Sequence, residues 1–121
     1  MTSIIHTLAA TLPEAAGAAP LDDPPYLDLA DRVVELVGAG RIGELRAFFA
    51  ALETAHSSPQ DAANANALQE GLMESLLSAA EYAGMSLPPI YDQLLPMSRR
   101  AWEAAWEYAH DSRWPDSSSA S

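Results

Sequence analysis

The placement of proline and glycine limits this chain more than any other feature. Nine prolines and six glycines divide it. Between them alanine dominates and β-branched residues are sparse, which favours helix over strand. Within each interval apolar residues recur every three or four positions, the period of a helix with one buried face. Ile4, Ile5, Leu8 and Leu12 form the first face, with Thr2 or Ser3 as N-cap, and Pro13 ends it. Residues 14–23 read as an Ala/Gly/Pro linker. Asp23, followed by Pro24 and Pro25, reads as an acidic cap with proline in the first turn. Tyr26, Ala30, Val33, Val34 and Val37 share the next face, which Gly38 and Gly40 stop.

The pattern repeats over residues 41–56 with Ile42, Leu45, Phe48, Phe49 and Leu52. Ser57-Ser58-Pro59 breaks it, and Ser58, Pro59, Gln60 and Asp61 form a capping-box variant that opens a new helix. That helix is predicted over 59–83, stopping at Gly84, with Leu68, Leu72, Leu76, Ala79 and Ala83 on one face and Met73 and Leu77 widening it. Leu87-Pro88-Pro89 reads as a rigid connector, and residues 90–95 as one short turn. Pro96 or Ser98 opens the last helix, with Met97, Ala101, Trp102, Ala105, Trp106 and Ala109 inward. Neither a strand pattern nor an internal repeat competes. The expectation is an all-α, single-domain bundle of about five amphipathic helices with short loops. It spans residues 1–110, with a polar, serine-rich tail at 111–121.

Charge narrows the function. Seventeen acidic residues against six basic ones give a net charge of -11, and all six basic residues are arginine. Phosphate binding needs cations, so a nucleic-acid partner is disfavoured. The absence of cysteine excludes disulfide scaffolds, cysteine nucleophiles, Fe–S clusters and cysteine zinc sites. The apolar runs are too short to span a bilayer. Residues 1–19 are alanine-rich but have no basic leader and are interrupted by Glu14. They read as a first helix rather than an export signal, and the expected location is cytoplasmic.

Few side chains suggest chemistry. No G-x-S-x-G elbow occurs, and Gly38-Ala39-Gly40-Arg41 lacks the ending of a phosphate-binding loop, so no catalytic set and no cofactor is expected. Glu53-x-x-His56 and Glu107-x-x-His110 match the spacing that di-iron bundles use, with Glu35, Glu70 or Glu74 available as further carboxylates. Both motifs fall in the last turn of a helix, where a histidine complements the helix dipole without any metal. Trp102, Trp106 and Tyr108 read as core aromatics more simply than as a ligand pocket. Trp114, beyond the last helix, either pins the tail to the bundle or stands exposed as a partner anchor. Between Arg46 and Arg99 there is no lysine or arginine. Glu70, Glu74 and Glu81 fall within about 40° of one another on an α-helix, opposite the leucines. They form either a solvated face or a docking surface for a basic partner.

The order of residues also resembles a family of small all-helical bacterial domains. The likeness lies in Pro25-Tyr26-Leu27 with Leu29-Ala30-Asp31-Arg32-Val33-Val34, and in Leu45, Phe48-Phe49 and the apolar-Glu pair Leu52-Glu53. It continues in Glu70-Gly71-Leu72-Met73-Glu74-Ser75-Leu76, in Leu94-Leu95-Pro96-Met97-Ser98 before Ala101-Trp102, and in Leu12-Pro13-Glu14. Leu95 departs from the family's pattern, which has glycine before the proline. Members look like immunity proteins of polymorphic-toxin or type VI secretion systems. The resemblance therefore implies a non-enzymatic antitoxin that covers a toxin's active site, and it brings no binding residues of its own. The expected partner is a cognate toxin or effector with a basic surface, met by Glu70, Glu74, Glu81 and Trp114. A helical adaptor or chaperone for a secreted effector is the first alternative, and a Glu-x-x-His metalloprotein the second.

Overall fold

The computed structural model describes residues 4–14, 20–57, 67–111 and 114. Among them there is no strand. Helix α1 is Ile4–Ala9, α2 is Pro25–Gly38, and a 3-10 turn at Ile42–Leu45 leads into α3, Arg46–Ser57. A π-helical segment at Ala67–Met73 leads into α4, Glu74–Tyr82; α5 is Pro88–Gln93 and α6 is Pro96–His110. The chain is all-α, with six α-helices among the described residues rather than about five. The sixth is α5. Pro88 and Pro89, read above as a connector, sit in its first turn, where a missing N–H costs no helical bond.

The helices share one core. Helix α2 lies along α4, α3 along α6, and α1 touches α2, α3 and the π-helical segment. Leu8, Leu29, Phe48, Leu52, Leu72, Leu76 and Trp102 are fully buried where these elements meet. Covered by both α1 and α4, helix α2 buries a wider face than its sequence pattern indicated. Leu29 and Leu36 are inside, while Tyr26 and Val37 are only partly covered. Four residues expected inside are exposed: Ala83 beyond the end of α4, Met97 in the first turn of α6, and Tyr108 and Ala109 in its last.

Ends are set as much by tertiary contacts as by local caps. Gly40 and Gly84 adopt positive φ, 78° and 73°, and stop α2 and α4 as glycine can. Asp23 does not cap α2. Pro24 holds that position without a side-chain bond. Asp28 instead accepts from the Asp22 N–H at 3.1 Å and pairs with Arg32 at 2.8 Å, and Arg32 reaches the Pro20 carbonyl at 2.7 Å. The predicted linker at 15–19 and the cap at Ser58, Pro59, Gln60 and Asp61 lie outside the described residues.

The π-helical segment packs closely on α2. A Cβ added to Gly71 would lie 3.0 Å from two ring carbons of Tyr26. Alanine usually improves a helix over glycine by about 0.5–1 kcal/mol, but here the methyl group has no room. Gly71→Ala is expected to destabilise by about 1–3 kcal/mol, as overpacked cores do. In a Tyr26→Ala background the same change is expected to be neutral or stabilising. Denaturant melts of the four proteins test this; a Gly71→Ala single variant as stable as wild type would show that the ring moves aside freely.

Candidate functional site

The acidic helix is not one continuous α-helix. Backbone bonds over Ala67–Met73 run i to i+5, so each residue turns through less than the α-helical angle before regular geometry resumes at Glu74. The three glutamates nevertheless meet different surroundings. Glu70 and Glu81 are exposed, whereas Glu74 is half-buried. Glu81 is taken up by α6, its carboxylate 3.1 Å from Nε2 of His110. That imidazole stacks on Trp106 at 3.6 Å and 15°, and its Nδ1 lies 3.2 Å from the Trp106 carbonyl.

Glu70 and Glu74 stand on one wall of a groove of about 400 Å³. Gln69 shares that wall, and Ala104, Ala105 and Tyr108 of α6 form the other. The Gln69 side-chain amide donates to the Ala101 carbonyl at 2.9 Å and ties the walls together. Among the described residues neither glutamate is in an ion pair, since the arginine pairs are Arg32–Asp28 and Arg41–Glu44. Burial, together with the neighbouring Glu70 charge, holds the Glu74 carboxyl above its ordinary value. Tyr108, expected in the core, is 80% exposed at the groove edge. Its two-residue offset from Trp106 already turned it off the buried face.

The other candidates have structural duties. Trp114 is buried, at 3% exposure, which corrects the reading of it as an exposed anchor. It meets Trp102 edge-on at 5.6 Å, Trp106 edge-on at 4.9 Å and Tyr91 at 5.2 Å. Of the predicted tail, Asp111 and Trp114 are described, and the second is packed into the core. Trp114→Ala is expected to cost about 3 kcal/mol or more in a denaturant melt, as buried aromatic truncations do.

The two Glu-x-x-His motifs are not brought together into a metal site. No three His, Asp or Glu side chains converge among the described residues. Glu53 crosses from α3 to the start of α6, accepting from the N–H groups of Met97 and Ser98 at 3.0 and 2.9 Å and from the Ser98 hydroxyl at 3.1 Å. The residue preceding α6 is Leu95, which offers no capping side chain, so a carboxylate from another helix serves. Leu95 has φ -88°, which any residue adopts, and the glycine of the resembling pattern is not needed. His56 places Nδ1 3.0 Å from the Leu52 carbonyl, and Nε2 is buried without a hydrogen-bond partner. Glu107 is exposed on α6.

Comparison of the chain with family models, with curated proteins and with solved structures returned no match. No helix among the described residues is long and apolar enough to cross a membrane.

Two protonation effects predict the acid limb of stability. Burial raises the affinity of Glu53 for a proton, but the bonds from Met97 and Ser98 outweigh it and hold its pKa below the ordinary value. The cap therefore contributes fully above the unfolded carboxylate pKa and is lost as pH falls through the folded one. Burial likewise holds His56 below its ordinary value, against the opposing Leu52 carbonyl and Glu53 charge. Protonating it favours the unfolded chain, so stability begins to fall below about pH 6.5. Glu53→Gln is expected to lose about 1–2 kcal/mol at pH 7, the scale of a lost cap. The gap to wild type should close near pH 3. Urea melts across this range check both; a gap independent of pH would show that the charge is irrelevant.

Proposed function

We propose that this protein is an immunity protein: a single-domain helical bundle, without catalytic activity, that binds one cognate toxin in the cytoplasm and covers its active site. The observation that carries the reading is the groove wall of Glu70 and Glu74, two carboxylates without a cation on a chain of net charge -11. Like charges held together destabilise a fold slightly. A partner with a positive surface relieves that repulsion and is steered to it by the field of the whole molecule. The resemblance to small helical immunity proteins supports the same class. A toxin acting on nucleic acid or a nucleotide would present a basic active site that this face complements.

Co-expression should restore growth to cells producing the cognate toxin and leave an unrelated toxin lethal. Association should slow as salt rises, because screening shortens the reach of the charges. Reversing Glu70 and Glu74 to lysine should lower the association rate about tenfold or more with a near-normal melt. Reversing Glu81, already paired with His110, should do less. A partner that co-purifies but is harmless to cells would instead favour an adaptor or chaperone for a secreted effector.

A further inference from the structure

The groove has more chemistry than charge alone, and it deepens the reading just proposed, on which it rests. One wall carries two unpaired carboxylates, and the facing wall carries a tyrosine ring that is 80% exposed beside two alanines. Small residues at Ala104 and Ala105 leave the space open, and the Gln69 bond to Ala101 fixes its floor at one end. The occupant must be cationic to satisfy the carboxylates and flat enough to lie on an aromatic face. A guanidinium meets both demands: it forks onto carboxylates and stacks on aromatic rings, whereas an ammonium is compact and strongly hydrated. A divalent cation is poorly served, since calcium takes six to eight oxygens and among the described residues no third acidic or imidazole group joins these two. A second copy of the chain is disfavoured, because two molecules of net charge -11 repel each other.

We infer that this groove is the seat of one arginine side chain of the partner protein, with its guanidinium bound to Glu70 and Glu74 and lying on the Tyr108 ring. The cation makes the pair of carboxylates favourable where alone they repel. Binding lowers the proton affinity of Glu74, so arginine binding weakens as pH falls into the carboxylate range. It does so from a higher pH than an ordinary glutamate would impose. Tyr108 confers the preference for arginine over lysine, and the two glutamates confer the requirement for charge.

The test is a titration of isotope-labelled protein with N-acetyl-arginine amide at low salt, followed by NMR. Saturable shifts confined to residues 69–74 and 104–108 are expected, with a dissociation constant on the order of millimolar, the scale of one ion pair and one stacked cation. N-acetyl-citrulline amide, neutral and of the same shape, should leave the spectrum unchanged, and N-acetyl-lysine amide should bind several-fold more weakly. Glu70→Gln with Glu74→Gln should abolish the shifts, and Tyr108→Ala should remove the preference for arginine over lysine. All these side chains are outside the core, so a normal melt accompanies each variant. Shifts spread over the whole acidic surface, or equal shifts with citrulline, overturn the proposal. The immunity reading is judged separately. Toxin rescue that survives the Glu70→Gln, Glu74→Gln and Tyr108→Ala changes overturns the arginine seat alone. Arginine binding in a protein that rescues no toxin supports the seat and overturns the immunity reading.

Discussion

The last helix starts without a cap of its own, and the rest of the arrangement follows from how that start is met. Pro96 supplies no N–H, Leu95 supplies no side-chain acceptor, and the next N–H groups belong to Met97 and Ser98. Ser98 is fully buried, so its N–H and hydroxyl have no recourse to water. The Glu53 carboxylate, arriving from α3, accepts from both N–H groups and from the hydroxyl. It also places a negative charge at the positive end of the α6 dipole. Helix α6 is thereby fixed against α3 at one end, while the Gln69 amide ties it to the π-helical segment one turn further along. Directly after the second tie Trp102 enters the core at zero exposure. Tyr108, six residues on, is left outside, facing the groove.

Charge is distributed unevenly along this frame. Arg32 and Arg41 are engaged with acids on their own helix or turn, at i,i+4 and i,i+3, and Arg99 lies over the Tyr91 ring at 5.1 Å. None of these pairs involves the acidic helix. Glu81 is answered by His110, but Glu70 and Glu74 face each other's charge across one turn, and Glu74 is partly desolvated as well. A chain selected for stability alone has an inexpensive remedy, since glutamine at either position removes the repulsion. Keeping both carboxylates on a concave surface, opposite an exposed aromatic ring, is the arrangement expected of a surface completed by a cationic partner.

The sequence conveyed the helices well because the signals were local. The apolar period marked the buried faces of α3 and α4, and Gly40 and Gly84 ended their helices through a conformation glycine adopts cheaply. It conveyed the site poorly because the signals there were not local. The stripe of Glu70, Glu74 and Glu81 was drawn on one helix alone, and α6 divides it by taking Glu81 to His110 and lining a groove with the other two. The role of Glu53 depends on a helix start 44 residues away. In its own segment it was indistinguishable from a surface glutamate or half of a Glu-x-x-His motif. Trp114 could not be placed because a lone aromatic after a helix is silent about which surface it meets. One hint was legible: a helix opening with Leu-Pro has no side-chain cap at that position, which leaves its first N–H groups open to water or to an acceptor from elsewhere in the fold.

The motifs that carry the family resemblance meet one another in pairs. Gly71 of the central helix lies against Tyr26 of Pro25-Tyr26-Leu27. Glu53 of the apolar-Glu pair holds the backbone of Met97 and Ser98 in the C-terminal motif. Contacts of this kind specify how these helices pack. They do not specify what the frame binds. Exposed Ala104 and Tyr108, with Glu70 at the facing edge, have no such packing or capping duty. Changes there alter the shape and charge of the groove while leaving the Glu53 cap, the Gly71 contact and the tryptophan core untouched. Such a division lets one helical frame be matched to different partners, because recognition and folding draw on different side chains.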